Sequence, residues 1–120
     1  MIVAHQTVLI GPHEGKELAL MLAGEKKVAL FEQGMLPDDF LPYLEQQKFH
    51  AIRFYPIPKL DYCGWIVYES NSHNDALRLQ DLIVASVGKG FLAEREREIG
   101  RILGYSEAAI DAYIEKMSAK

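Results

Sequence analysis

The stretch HAIRFYPIPKLDYCGWIVYE, residues 50–69, decides the fold. Its first part alternates. His50, Ile52 and Phe54 fall on one side of an extended chain, and Ala51, Arg53 and Tyr55 fall on the other. Pro56 and Pro58 end the run, because proline has no N–H to give a ladder. A second alternating run, Cys63 to Glu69, sets Cys63, Trp65 and Val67 on one face and Ile66 and Tyr68 on the other. The short link through Lys59-Leu60-Asp61 predicts an antiparallel hairpin.

Upstream of the hairpin the pattern changes period twice. Ile2 to Ile10 is rich in strand formers and stops at Gly11-Pro12. Glu14 to Gly24 reads as a helix, with Leu18, Met21 and Leu22 on one apolar face and Gly24 at the C-terminal cap. Val28-Ala29-Leu30-Phe31 is a continuous apolar run, as expected of a strand covered on both faces. Pro37-Asp38-Asp39 opens another helix striped by Phe40, Leu41 and Leu44, with Pro42 tolerated in its first turn.

Downstream the pattern is helical throughout. Ser72-His73-Asn74-Asp75 has the form of a capping box, and its helix runs to about Ser86 with Ala76, Leu79, Leu82 and Ile83 inward. Gly88-Lys89-Gly90 breaks it. Phe91 to Leu103 and Ser106 to Met117 form the last two helices. The order β-α-β-α-β-β predicts an α/β to α+β fold. Its mixed four-stranded sheet would have parallel crossovers, followed by three helices, the last two a helical hairpin. Residues 1–120 make one domain, with an α/β portion at 1–71 and a C-terminal helical portion at 72–120.

Composition narrows the function classes. Apolar residues are 49% and charged residues 25%, the balance of a globular chain rather than a disordered one. The formal charge of −4 does not by itself recruit nucleic acid or an acidic membrane. Cys63 is the single cysteine, so neither an intrachain disulfide nor a thiolate-rich zinc site is expected. His5 and Gln6 interrupt the first apolar run, and no basic region precedes it, so it reads as a strand and not a signal peptide. No window reaches the apolar length of a membrane span, and a cytoplasmic protein is expected by default.

The segment EREREIGRILGYSEAAIDAYIEKM, residues 94–117, carries the clearest motif. Gly100 is small where a second helix would cross, Gly104 tolerates positive φ in the turn, and Ser106 caps the second helix. Ile110, Tyr113 and Ile114 give that helix an inward stripe. The segment resembles the helix-turn-helix of bacterial regulators and sigma factors, whose turns often read LGVS or LGIS. That resemblance implies DNA binding by the second helix. Its outward positions depart from the family, however. Glu107, Asp111 and Glu115 face outward, with Lys116 the only base. Three acids oppose the phosphate attraction that supplies most affinity. Any two helices joined by a tight turn need the same glycine, cap and stripe. Arg95, Arg97 and Arg101 on the preceding helix interleave with Glu94, Glu96 and Glu98. The spacing pairs Glu94 with Arg97 and Glu98 with Arg101 along one helix. The phrase GRILGYS before an acidic helix also looks like C-terminal segments of uncharacterised prokaryotic and phage proteins.

Other constellations fall short of catalysis. Gly11-Pro12-His13-Glu14-Gly15-Lys16-Glu17 follows a strand and opens a helix, the context of a phosphate loop. Its spacing from Gly11 to Gly15 and Lys16 is one residue short, and Glu17 replaces the hydroxyl residue that would bind magnesium. His5, His13, His50 and His73 are spaced singly, and a hydrogen-bonded or solvated role suits each. No cofactor, metal or catalytic set is expected. The hairpin offers a surface instead. If Ile52 and Phe54 face the core, Arg53 and Tyr55 face away, joined by Trp65 or Tyr68, with the composition of an interface hot spot. Either a partner meets this face or the C-terminal helices cover it. The reading is a small protein acting through protein–protein contact or self-association as a homo-oligomer, with Arg53, Tyr55 and Trp65 as its surface. The alternative is a helix-turn-helix nucleic-acid-binding regulator. The third is a small-ligand-binding protein or enzyme.

Overall fold

The computed structural model describes residues 13, 15–31, 36–57 and 63–119. The strand expected over residues 2–10 and the hairpin link at residues 59–61 lie outside them. In chain order the elements are α1 (Glu17–Leu22), β1 (Val28–Phe31), a 3-10 turn (Asp38–Phe40), α2 (Leu41–Glu45), β2 (Phe49–Phe54) and β3 (Gly64–Glu69). A second 3-10 turn (Ser70–Ser72), α3 (His73–Ser86), α4 (Ala93–Ile102) and α5 (Glu107–Ser118) complete the chain.

The described sheet has three strands in the order β1-β3-β2, and both pairings are antiparallel. This corrects the expected four-stranded mixed sheet and its β-α-β-α-β-β order. Both β1 and β2 run opposite to β3, so they run the same way as each other, as a crossover through α2 requires. They do not pair, because β3 enters between them. Ile66 and Val67 of β3 are both fully buried there, which the central position allows on both faces. The hairpin itself forms as expected, with Ile52 opposite Ile66 and Arg53 opposite Trp65.

Strand alternation sorts the core into two layers. Val28, Leu30, Phe54 and Ile66 face α3, α4 and α5, and join Leu79, Ile83, Ile99, Leu103, Ile110 and Tyr113 in one cluster. Ala29, Phe49 and Val67 face the other way and pack with Met21 of α1 and Phe40. All the expected inward residues of α3 are buried. Ser72 stands at the helix start, yet its hydroxyl donates to Glu69 Oε1 at 3.2 Å instead of closing the expected capping box. The 3-10 turn places Ser72 at φ −111° and ψ 22°, away from the extended geometry a serine cap uses.

Two helices end the same way. The N–H of Gly24 bonds to Met21 O and that of Glu25 to Leu20 O. The N–H of Gly104 bonds to Arg101 O and that of Tyr105 to Gly100 O. Both glycines take the left-handed backbone this paired arrangement needs, at φ +77° and +83°. The two turns adjoin, because a side-chain carbon on Gly104 would sit 3.7 Å from Lys26 Cγ.

Candidate functional site

Arg53 lies near the end of β2, one strand from Trp65 and two from Phe31, in a row across one sheet face. Alternation puts that row opposite Ile52, Phe54 and Ile66, so the C-terminal helices cover the other face. Tyr55 follows the strand and is 44% exposed. The Arg53 guanidinium carbon stands 5.8 Å from the Tyr55 ring centroid and 5.9 Å from that of Trp65. Those distances are in the range where a cation is drawn to the negative face of a π-system. Trp65, not Tyr68, therefore joins the sequence-predicted pair. Tyr68 faces the other side, with ring centroids 5.6 Å from His50 and 5.4 Å from His73.

The remaining arginines are occupied by carboxylates. Arg78 grips Glu98 with two bonds of 2.7 and 2.9 Å. Arg95 Nε lies 3.5 Å from buried Glu96. Arg97 donates to Asp111 at 2.7 Å, and Arg101 grips Glu107 with two bonds of 2.9 Å. Among the described residues no carboxylate pairs with Arg53. Among the described residues its neighbours are the two rings, Tyr55 and Trp65.

The helix pair has the predicted backbone and an unpredicted charge arrangement. A carbon added to Gly100 would stand 2.8 Å from Ile110 Cγ1, so α5 crosses α4 where only glycine fits. Ser106 Oγ accepts the Ala109 N–H at 3.1 Å. The expected pairs within α4 give way to pairs between helices, Arg97 with Asp111 and Arg101 with Glu107, while Glu98 turns to Arg78 of α3. Hydrogen bonds from Arg101 hold the Glu107 carboxyl below its ordinary range. The bases and acids of this unit thus answer one another.

Of the phosphate-loop residues, Gly11 lies outside the described residues. Gly15 (φ +77°) and exposed Lys16 precede a helix of 6 residues. Gly15 lines a hollow of about 80 Å³ with Glu17, Leu18, Pro37, Asp39 and Phe40. Its two carboxylates repel phosphate and suit a cation.

Sequence reasoning missed Lys26, which is 3% exposed. Its ammonium donates to the Leu103 carbonyl at the C-terminus of α4, approaches His13 Nδ1 at 3.1 Å, and lies 5.1 Å from the Tyr105 ring centroid. Burial pushes Lys26 down to about 8, with Glu17 opposing. Burial, then the charges of Lys26 and Lys16, push His13 down to about 4. His13 stacks on Tyr105 with centroids 4.3 Å apart. The signal in the sequence was slight: a lysine pair directly before a strand whose first three residues are buried.

His50 Nε2 lies 3.0 Å from Ser70 Oγ at the exposed surface, and His5 lies outside the described residues. Among the described residues, no three His, Cys, Asp or Glu side chains gather to hold a metal ion, and no helix is long and apolar enough to cross a membrane. Comparison with protein-family models, with curated proteins and with solved structures gave no match.

Proposed function

We propose that this chain is a binding protein, and that its contact surface is the sheet face around Arg53, Tyr55 and Trp65. One observation carries the reading: a guanidinium stacked by two rings, with no carboxylate among the described residues to satisfy it. Side chains of these three types dominate binding energy where they are packed and then desolvated by a partner. The two nearby rings bias the position of the arginine fork beforehand, which lowers the ordering cost of association.

A photo-crosslinking residue in place of Tyr55 tests the reading in the native host. Expected is a discrete protein adduct at position 55 and none from the same residue at Leu77, which lies on α3 over the other sheet face. No adduct at position 55 would remove the proposal.

A second reading, a helix-turn-helix nucleic-acid-binding regulator, is supported by the contact of Gly100 with Ile110 beside the Gly104 turn. Against it stand Glu107, Asp111 and Glu115 on the outward side of α5. Binding of the wild-type chain to duplex DNA, weakening steeply with salt, would favour this reading over the first.

A further inference from the structure

We infer that the occupant of the Arg53 face is a second copy of this chain, seated about a two-fold axis; this rests on the proposed binding role of that face. A two-fold contact must be self-complementary, so that residue i meets j while j meets i. This face meets that condition in its order of side chains. Arg53 stands opposite Trp65, and Trp65 stands opposite Phe31 in the next strand. The Phe31 ring meets Phe40 edge-on, with centroids 5.3 Å apart. Asp39 adjoins Phe40 and lines the small acidic hollow with Glu17. A series of contacts therefore leads from a cation, through half-buried and buried rings, to a hollow lined by two acidic residues.

The series is too long to close on itself. Neighbouring strands are about 4.8 Å apart, which puts Arg53 and Phe31 roughly 10 Å apart before the Phe40 layer is added. A second copy rotated about an axis near Trp65 and Phe31 brings each Arg53 to the other copy's hollow. The hollow is of a size to receive the head of an arginine side chain. Its apolar lining, Leu18, Pro37 and Phe40, suits the planar face of a guanidinium, and Glu17 and Asp39 suit its donors. The rings of the two copies then meet at the centre, where hot spots cluster. An acidic segment of another protein would satisfy Arg53 equally, but would leave the hollow unused.

Sedimentation of the full chain, from low micromolar to submillimolar concentration, tests the inference with paired charge reversals. Wild type is expected to dimerise. Arg53→Glu alone and Asp39→Lys alone are each expected to weaken association by on the order of a hundredfold, because each sets like charges together twice per dimer. An equal mixture of the two variants is expected to dimerise again, since one of the two contacts is native and the other is reversed but opposite in sign. Restoration also shows that both variants are folded. The inference is overturned if wild type stays monomeric, if Arg53→Glu dimerises as tightly as wild type, or if the mixture stays monomeric. A monomeric wild type that still gives an adduct to another protein at position 55 would sink this inference and leave the binding role standing. A monomer with no adduct would sink both.

Discussion

Gly100 and Ile110 touch where a single added methyl group has no room. A Cβ on Gly100 would lie 2.8 Å from Ile110 Cγ1 and 3.0 Å from Cδ1, and Ile110 is fully buried. Replacing a helical glycine with alanine ordinarily gains about 1 kcal/mol. Here overpacking costs about 1–3 kcal/mol and reverses the sign. Gly100→Ala is therefore expected to destabilise the protein, measured by chemical denaturation. In an Ile110→Ala background, where the obstructing carbons are gone, the same substitution is expected to stabilise. Equal effects in the two backgrounds would show that the helices do not meet at this point.

Lys26 links the turn after α1 to the end of α4, and its charge makes that link depend on pH. Its folded pKa is about 8 against an ordinary 10.5. Between those values the unfolded chain holds the proton more often, so stability rises with pH across this window. The gain approaches about 3 kcal/mol if the full shift is realised. The Tyr105 phenol is pushed up by burial and opposes the trend above its ordinary 10, so the rise is read between pH 8 and 10. Lys26→Met is expected to flatten it. Denaturation curves at several pH values check this, and parallel slopes for the two proteins would contradict it.

The acid side of the same cluster has the same sign for a different group. His13 is held down to about 4, so its contribution is complete above the ordinary 6.5 and is lost as pH falls through 4. Buried Glu96 opposes it: burial raises this carboxyl, and its contribution is lost as pH rises above the ordinary 4.5. His13→Gln is expected to reduce the loss of stability between pH 6.5 and 4, and Glu96→Gln to increase it. Thermal unfolding across that range separates the two. A wild-type profile reproduced by both variants would remove these assignments.

What the sequence reveals here follows the range of the interaction. The inward stripe of α3 was legible because period 3.6 is local, and the faces of β2 and β3 were legible because period 2 is local. Strand order was not, because it depends on which edges meet after the chain has folded back. Reading Glu98 with Arg101 along one helix failed for the same reason. Arg101 has a better-placed carboxylate across the turn, in Glu107, and Glu98 has Arg78. Arg53 and Tyr55 were placed on the outer face by parity alone, but the stacking with Trp65 needed the hairpin register. Lys26 gave almost no local sign, because the burial of a charge is set by what packs around it.

Trp65 is the chain's one tryptophan and so reports directly on the Arg53 stack. Arg53→Ala removes the cation lying over the ring. Acrylamide quenching of Trp65 is expected to increase, measured at dilution low enough to keep copies apart. Stability is expected to change by less than about 1 kcal/mol, the usual size of an exposed cation–π contact. Unchanged quenching would mean that the guanidinium does not shield the ring in solution.

The helix pair makes a conditional prediction about DNA. Gly100 meets Ile110 where the helices cross and Gly104 makes the turn, yet Arg97 and Arg101 are held by Asp111 and Glu107. The wild-type chain is expected to leave a DNA duplex unshifted even at low salt, because phosphates must compete with carboxylates already in place. Converting Glu107, Asp111 and Glu115 to their amides keeps the side-chain shapes and frees both arginines. That triple variant is expected to bind duplex weakly, with log K falling against log salt at a slope of roughly −2 for two phosphate contacts. Salt dependence matters more than affinity here, since it counts the contacts released. If the wild type binds with a steeper slope, the acids do not mask the arginines, and the regulator reading gains. If the triple variant still does not bind, freeing the two arginines is insufficient for DNA contact, whatever the shape of the turn.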